Sequence, residues 1–146
     1  MAIKTYSGRR LPDPHVIVVI EDYEKRLVYS HPLKHVEHHS PTGFEWGYGG
    51  SGPADLALSI LTDYFHEKWG RVTKEHINQG VHPAVVLHQD FKWSFVAAFP
   101  PEWKLHKEEI DAWTSEREIA KTIEDAGRDL SEWEYLKMLD QMVDEA

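Results

Sequence analysis

The sequence contains no cysteine at all. Disulfide bonds, thiolate metal ligands and cysteine nucleophiles are therefore excluded for this chain. Long apolar runs are missing too, because the longest aliphatic stretch is Val16–Ile20, which is far too short to span a bilayer. The first ten residues lack the apolar core of a signal peptide. Together these absences predict a soluble, cytoplasmic protein with no membrane partner.

Aromatic residues and acidic charge are what the composition has in excess. The chain of 146 residues is 41% hydrophobic and 12% aromatic, with six tryptophans, which suits one folded domain. Of the net charge of −9, nearly all lies in residues 107–146, which hold 13 of the 25 acidic residues and 5 of the 16 basic ones. A negative surface repels phosphate groups, so direct nucleic-acid binding is disfavoured.

The N-terminal part has the pattern of short strands. The segment His15–Glu21 is rich in β-branched residues, and Lys4–Tyr6 and Arg26–Ser30 flank it at hairpin-like distances. Later in the chain, apolar residues alternate with polar ones from Phe91 to Phe99, which predicts a half-buried strand. Val85–His88 is predicted as a strand before it, with a turn at Gln89 and Asp90.

One helix is clearly indicated in the middle of the chain. Over Pro53–Trp69, apolar side chains recur at spacings of three and four, with Ser51 or Gly52 as N-cap and Gly70 after the last turn. His106–Trp113 is predicted as a short helix. Two capping boxes, Ser115 with Glu118 and Ser131 with Glu134, predict two more helices over 116–126 and 132–144.

The predicted fold is α+β. A small, mainly antiparallel sheet packs on a central helix at about 53–69, followed by an acidic helical extension. The charge distribution places the boundary between a near-neutral body, residues 1–113, and the extension, residues 114–146. The extension is either part of the same compact unit or an appended helical hairpin.

The most unusual stretch of the chain is the glycine-rich segment 43–57, GFEWGYGGSGPADLA. Its glycines allow a tightly shaped backbone, and the helix start that follows can present free N–H groups to an anion. Asp55 suits the positive end of the helix dipole. The segment predicts a ligand- or partner-binding loop over residues 44–55, and its candidate contact residues are Glu45, Trp46, Tyr48, Gly49, Gly50, Ser51 and Asp55.

Residues 47–52 also match the pattern G-x-G-x-x-G of dinucleotide-binding folds. The strand that would precede the pattern, Phe44–Trp46, is short, and no parallel strand with an acidic end follows promptly, so that fold is disfavoured. A phosphate-binding P-loop is excluded because no Lys-Ser or Lys-Thr pair follows the last glycine. A purely architectural turn that fixes the entry angle of the helix stays open as an alternative.

Two further kinds of chemistry are weaker hypotheses. His31, His35 and His38 lie in a polar segment with imidazole spacing that could hold a divalent metal ion, although a polar loop explains the same residues and no cofactor is predicted. Ser51 or Glu45 acting with a histidine could support a small hydrolase or transferase. The nucleophile-elbow pattern around Ser51 lacks its final glycine, so catalysis is the less favoured interpretation.

The stretch GFEWGYGGSGPADLALSIL, with the preceding His-Ser-Pro-Thr, resembles a family of uncharacterised small proteins of bacteria, archaea and their phages. The resemblance covers about residues 3–113 and includes a later segment like Phe91–Pro100. It carries no established activity and no catalytic residues. Its association with phages and mobile elements implies an accessory role, in host takeover or in evasion of host defence.

The expected function is therefore non-catalytic. Loop 44–55 would bind a small anionic ligand, such as a nucleotide, or a partner protein, and homo-oligomers are compatible with the sequence. An acidic inhibitor or nucleic-acid mimic acting through residues 107–146 is the alternative. A small enzyme using Ser51 or Glu45 is the second alternative.

Overall fold

The computed structural model describes residues 2–115, and the two helices predicted over 116–126 and 132–144 lie outside that part. Four strands form one antiparallel sheet in the order β3-β2-β1-β4, and four helices accompany it, so the fold is α+β as predicted. The strands are β1 (Ala2–Arg9), β2 (His15–Asp22), β3 (Leu27–Pro32) and β4 (Trp103–His106). The helices are α1 (Ser51–Trp69), α2 (Lys74–Gln79), α3 (Pro83–Ser94) and α4 (Lys107–Ser115), and a short 3₁₀ turn, Val96–Ala98, follows α3.

One face of the sheet is buried. Along β1, β2 and β4, buried residues alternate with more exposed ones, because successive side chains of a strand point to opposite faces. Tyr6 pairs with Val18 on one side and with Leu105 on the other, and all three side chains lie in the core. The neighbouring row is centred on Gly8, against which the Trp103 indole packs so closely that a Cβ would lie 2.2 Å from its Nε1. Glycine at position 8 is therefore what makes room for the indole.

Helix α1 is the central element of the core. It begins at Ser51, two residues before the predicted start, with Gly50 at the N-cap and no side-chain cap, so neither Ser51 nor Gly52 has the capping role. Nearly every residue of its first three turns is buried between the sheet, helix α3 and the chain that precedes it. Tyr6 Oη in β1 donates a 2.6 Å hydrogen bond to Asp63 of α1, which ties the sheet to the helix.

The prediction of strands over Val85–His88 and Phe91–Phe99 was wrong. Residues 83–94 form helix α3, with Pro83 in its first turn and the His82 ring accepting a 3.1 Å hydrogen bond from the N–H group of Ala84. Helix α3 packs along α1, and burial of Val85, Leu87, His88 and Phe91 at helical spacing outweighs the local alternation. Helix α2 and strand β4 were not predicted.

No helix within residues 2–115 is long and apolar enough to cross a membrane. Helix α4 confirms the short helix predicted near His106–Trp113 and packs Trp113 edge-on against Phe91 of α3, with the ring centroids 5.2 Å apart.

Candidate functional site

Asp55 is the polar centre of the region that the sequence singled out. It lies inside α1, beyond its first turn, and its side chain is completely buried. Its carboxylate accepts hydrogen bonds from the backbone N–H groups of His38, His39 and Ser40, at 2.7–3.2 Å, and from His35 Nε2 at 2.9 Å. Asp55 therefore binds groups of its own chain and holds residues 35–40 in place. It does not have the predicted role at the helix dipole, because it lies beyond the first turn of α1.

The electrostatics of Asp55 follow from this arrangement. Burial alone would raise the pKa of its carboxyl group, but the hydrogen bonds from His35, Ser40, His39 and His38 outweigh it and lower the pKa. The carboxylate thus stays ionised in the interior because four donors solvate it in place of water. Ser59, one turn further along α1, accepts a 2.9 Å hydrogen bond from Val36 N–H and fixes the same segment at a second point.

The anchored segment brings His39 against helix α3. His39 Nε2 lies 3.1 Å from His88 Nε2, and the two rings meet edge to edge, with their centroids 5.3 Å apart and their planes 24° from parallel. The neighbouring His38 ring lies 4.0 Å from that of His39. Burial, followed by the nearby imidazoles, lowers the pKa of His88 to about 4, although its hydrogen bond to the Val85 carbonyl opposes the shift. Burial and His38 lower the pKa of His39 as well.

The first residues of the glycine-rich loop are held by Arg10. Its guanidinium donates to Glu45 Oε2 at 2.6 Å and to the Trp46 carbonyl at 2.8 Å, and lies 4.7 Å from the centre of the Trp46 ring. Trp46 is fully buried, edge-on to Trp103. Glu45 and Trp46 therefore face the protein itself, while Gly47, with φ of +86°, turns the chain back toward the surface and donates a 3.0 Å hydrogen bond to Val96 O.

The next residues form an exposed aromatic surface, which we define as Tyr48, Gly49, Gly50 and Trp93. Tyr48 is 52% exposed and Trp93 is 63% exposed. The Trp93 ring lies flush against Gly49, where a Cβ would come within 2.1 Å of the indole, and the Tyr48 ring covers Gly50 in the same way at 2.5 Å. The two rings can therefore pack against the backbone because neither glycine has a side chain.

The remaining predicted residues lie apart from this surface or have no chemical partner. Ser51 is exposed at the start of α1, and within residues 2–115 its hydroxyl makes no hydrogen bond to a histidine or a carboxylate. Of the predicted metal ligands, His31 lies on β3 with Nδ1 against the Pro32 carbonyl, His35 is bound to Asp55, and His38 packs at a tilt against His39. The three imidazoles do not converge, and the described part of the chain holds no cluster of three or more histidine or acidic ligands.

A cleft of about 360 Å³, which the sequence does not indicate, lies between the end of β3 and helix α1. His31, Lys34, His66 and Arg71 contribute basic groups to its lining, and Asp63 contributes a carboxylate that Lys4 and Tyr6 already bind. These residues come from three separate segments, so no local pattern in the sequence could have indicated the cleft.

Comparison with known proteins identifies the family but no activity. No curated protein and no solved structure is significantly similar to the chain. One family, described as a family of unknown function (DUF6166), matches residues 6–116, from within β1 to just beyond the end of α4. Because the match spans well over half of the sequence, the chain belongs to this family of unknown function, DUF6166.

Proposed function

We propose that this protein is a non-catalytic binding protein that contacts a partner protein through the aromatic surface, which loop 44–55 and Trp93 of α3 form together. The observation that carries the proposal is the exposure of Tyr48 and Trp93 on a backbone platform of Gly49 and Gly50. Tryptophan and tyrosine are the side chains that most often dominate protein–protein binding energy. Rings held against the backbone also lose little conformational entropy when a partner binds.

The start of helix α1 favours a protein partner over a small anion. A Cβ on Gly52 would lie 2.8 Å from the Cβ of Glu45 and 3.3 Å from its nitrogen, so the chain itself covers this part of the first turn. An anion would have to displace that segment, which Arg10 holds through Glu45 and Trp46. The aromatic surface needs no such rearrangement.

Charge next to the surface adds a chemical preference. The Lys92 ammonium lies 4.5 Å from the centre of the Trp93 ring and Gly49 lies against the same indole, so a partner would contact the part of the ring that these two residues leave exposed. We therefore infer a partner that inserts apolar side chains between or beside Tyr48 and Trp93. The resemblance of segment 43–57 to small proteins of phages and mobile elements supports an accessory role against a host protein.

The test is partner recovery from a bacterial lysate with quantitative mass spectrometry, using wild-type protein and the variants Trp93→Ala and Tyr48→Ala. Tyr29→Ala is the matched control, since Tyr29 is 53% exposed on β3, away from this surface. We expect one partner whose recovery falls at least tenfold with either loop variant and is unchanged with Tyr29→Ala. Equal recovery with all four proteins, or a thermal shift with nucleotides that Trp93→Ala leaves intact, would contradict the proposal.

The acidic segment supports a second candidate, an inhibitor that mimics a nucleic acid. Helix α4 exposes Glu108 and Glu109 at its start, and Asp111 is shared between Lys107, at 3.3 Å, and the Tyr64 hydroxyl. Removal of residues 116–146 distinguishes the candidates. An inhibitor acting through the acidic segment loses its target, whereas binding through the aromatic surface persists.

A further inference from the structure

Two imidazoles from distant parts of the chain point their Nε2 atoms at each other. His39 belongs to the segment that follows β3, His88 belongs to helix α3, and the two nitrogens are 3.1 Å apart. Pairs of nitrogens bound to one metal ion at about 2.0–2.1 Å lie at similar separations, because tetrahedral or octahedral angles place neighbouring ligands about 3 Å apart. As the rings stand, the pair is an N–H···N hydrogen bond, and an ion binds both Nε2 atoms only after the exposed His39 ring turns off the line that joins them.

The orientation of His88 is that of a metal ligand. Its Nδ1 lies 2.5 Å from the Val85 carbonyl, and since a carbonyl can only accept, Nδ1 carries the proton and Nε2 presents a lone pair. A backbone carbonyl that binds the second ring nitrogen is the usual support of a ligating histidine.

The position of His39 is fixed independently of His88. Its backbone N–H donates a 2.7 Å hydrogen bond to buried Asp55, and the adjacent residues His38 and Ser40 donate to the same carboxylate. The negative charge of Asp55 stabilises a cation nearby, while the Lys92 ammonium on α3 opposes it. A rigid backbone on both sides lowers the entropic cost of binding an ion.

Gln89 supplies a third donor group. Its side-chain amide lies 3.4 Å from His39 Nε2, and rotation of the amide exchanges its nitrogen for its oxygen. Since residues 2–115 hold no cluster of three histidine or acidic ligands, the protein contributes two imidazoles and one amide, and water completes the coordination. Imidazole donors favour Zn²⁺, Ni²⁺ and Cu²⁺ over Mg²⁺ or Ca²⁺.

We propose that His39 and His88, assisted by the Gln89 amide, form a binding site for a divalent transition metal ion of the Zn²⁺ class. Without metal, His39 Nε2 donates its proton to His88 Nε2. When the ion binds, the exposed His39 ring turns, its proton moves from Nε2 to Nδ1, and the Nε2 lone pairs of both rings coordinate the ion, so the pair binds Zn²⁺ without a change in net protonation. The site shares no residue with the aromatic surface, although Gln89 lies one turn before Trp93 on α3, and Zn²⁺ binding does not depend on the proposed partner.

The test is a titration of the untagged, metal-free full chain with Zn²⁺. Calorimetry measures the binding, and the ¹⁵N chemical shifts of the histidine rings identify the ligands. We expect one saturable Zn²⁺ that shifts the Nε2 resonances of His39 and His88 together and is not displaced by Mg²⁺. His39→Ala, at an exposed side chain that leaves the core intact, is expected to weaken binding at least tenfold. His88→Gln, which keeps the bulk of the buried ring, should do the same.

The matched controls are His31→Ala and His106→Ala, which remove exposed imidazoles elsewhere on the sheet. The proposal is overturned if these controls weaken Zn²⁺ binding as much as His39→Ala does, because scattered surface histidines would then hold the ion. It is equally overturned if the ¹⁵N shifts of His39 and His88 do not respond to Zn²⁺, which would leave a plain hydrogen bond between the two rings.

Discussion

The carboxylate of Asp55 accepts a 2.9 Å hydrogen bond from His35 Nε2, across twenty residues of chain. This contact is one of several through which a single buried acid on α1 holds the segment that follows β3. The same segment brings His39 to His88 of helix α3. One ionised side chain thus accepts most of the hydrogen bonds that hold the histidine-rich segment, and Ser59 accepts a further one.

Replacement of Asp55 by alanine is expected to destabilise the protein strongly. The substitution leaves three backbone N–H groups and the His35 ring without their acceptor in a buried place, which typically costs about 3–5 kcal/mol. Chemical denaturation followed by tryptophan fluorescence measures the loss. Asp13→Ala, in the exposed loop between β1 and β2, is the control and should change the free energy of unfolding by less than about 0.5 kcal/mol.

Gly49 and Trp93 should behave as a coupled pair. A methyl group at position 49 overlaps the Trp93 indole, which is exposed and can turn aside, so Gly49→Ala is expected to cost about 1 kcal/mol and to shift the tryptophan emission. In a Trp93→Ala background the same change should cost less than about 0.5 kcal/mol, because the clash is gone. A double-mutant cycle measures the coupling, and additive effects of the two substitutions would show that the ring does not rest on Gly49.

Arg10 is expected to control the order of the glycine-rich loop. Arg10→Ala removes the hydrogen bonds to Glu45 and to the Trp46 carbonyl, while Trp46 stays in the core. Amide hydrogen exchange from Gly47 to Gly50 should accelerate at least tenfold, with little change in the strands. Arg9→Ala, the exposed neighbour, serves as the control. Unchanged exchange in Arg10→Ala would mean that the loop is ordered by its packing alone.

Stability should fall as the pH rises above about 10. Burial, and then the nearby Asp63 carboxylate, raise the pKa of Tyr6 far above its ordinary value, and burial with a hydrogen bond to Asp111 raises the pKa of Tyr64 to about 12. Both hydroxyls keep their protons in the folded state at a pH where the unfolded chain loses them. Their contribution is therefore complete below pH 10 and is lost progressively above it.

Unfolding free energies measured from pH 8 to pH 12 test this expectation. Tyr6→Phe should be less stable than wild type at pH 8, because the hydrogen bond to Asp63 is absent, and its stability should fall less steeply above pH 10. Absorbance at 295 nm reports tyrosinate directly. A wild-type titration in which every tyrosine ionises near pH 10 while the protein stays folded would contradict the assignment.

Local patterns were sufficient for part of this fold. The β-branched run of β2 predicted a strand, and the apolar spacing of α1 predicted a helix, because in both cases the pattern agrees with the burial that the fold imposes. They failed at α3. Phe91, Trp93 and Phe95 alternate with polar residues like a strand, yet helix α3 and the turn after it bury Phe91 and leave Trp93 exposed, because packing along α1 decides the backbone.

The candidate site was likewise predicted only in part. The glycine-rich segment stood out in the sequence, and the structure places Tyr48, Gly49 and Gly50 at an exposed surface, since glycines with neighbouring aromatics leave a local signature. Trp93, which supplies the second ring of that surface, lies in the segment that the sequence pattern predicts as a strand. Its contact with Gly49 spans more than forty residues of chain, and no short-range pattern encodes such a contact.

The amino-acid composition and local patterns are sufficient to establish the chemical groups of this protein: no thiol chemistry, an α+β pattern, a glycine-rich helix start and many histidines. How these groups are used depends on their arrangement in three dimensions. It turned Asp55 into an internal anchor, left Ser51 without a partner among residues 2–115, and brought His39 to His88 across 49 positions. The physical reason is that hydrogen bonds and desolvation act over ångströms in space, and the distance along the chain does not limit which groups they join.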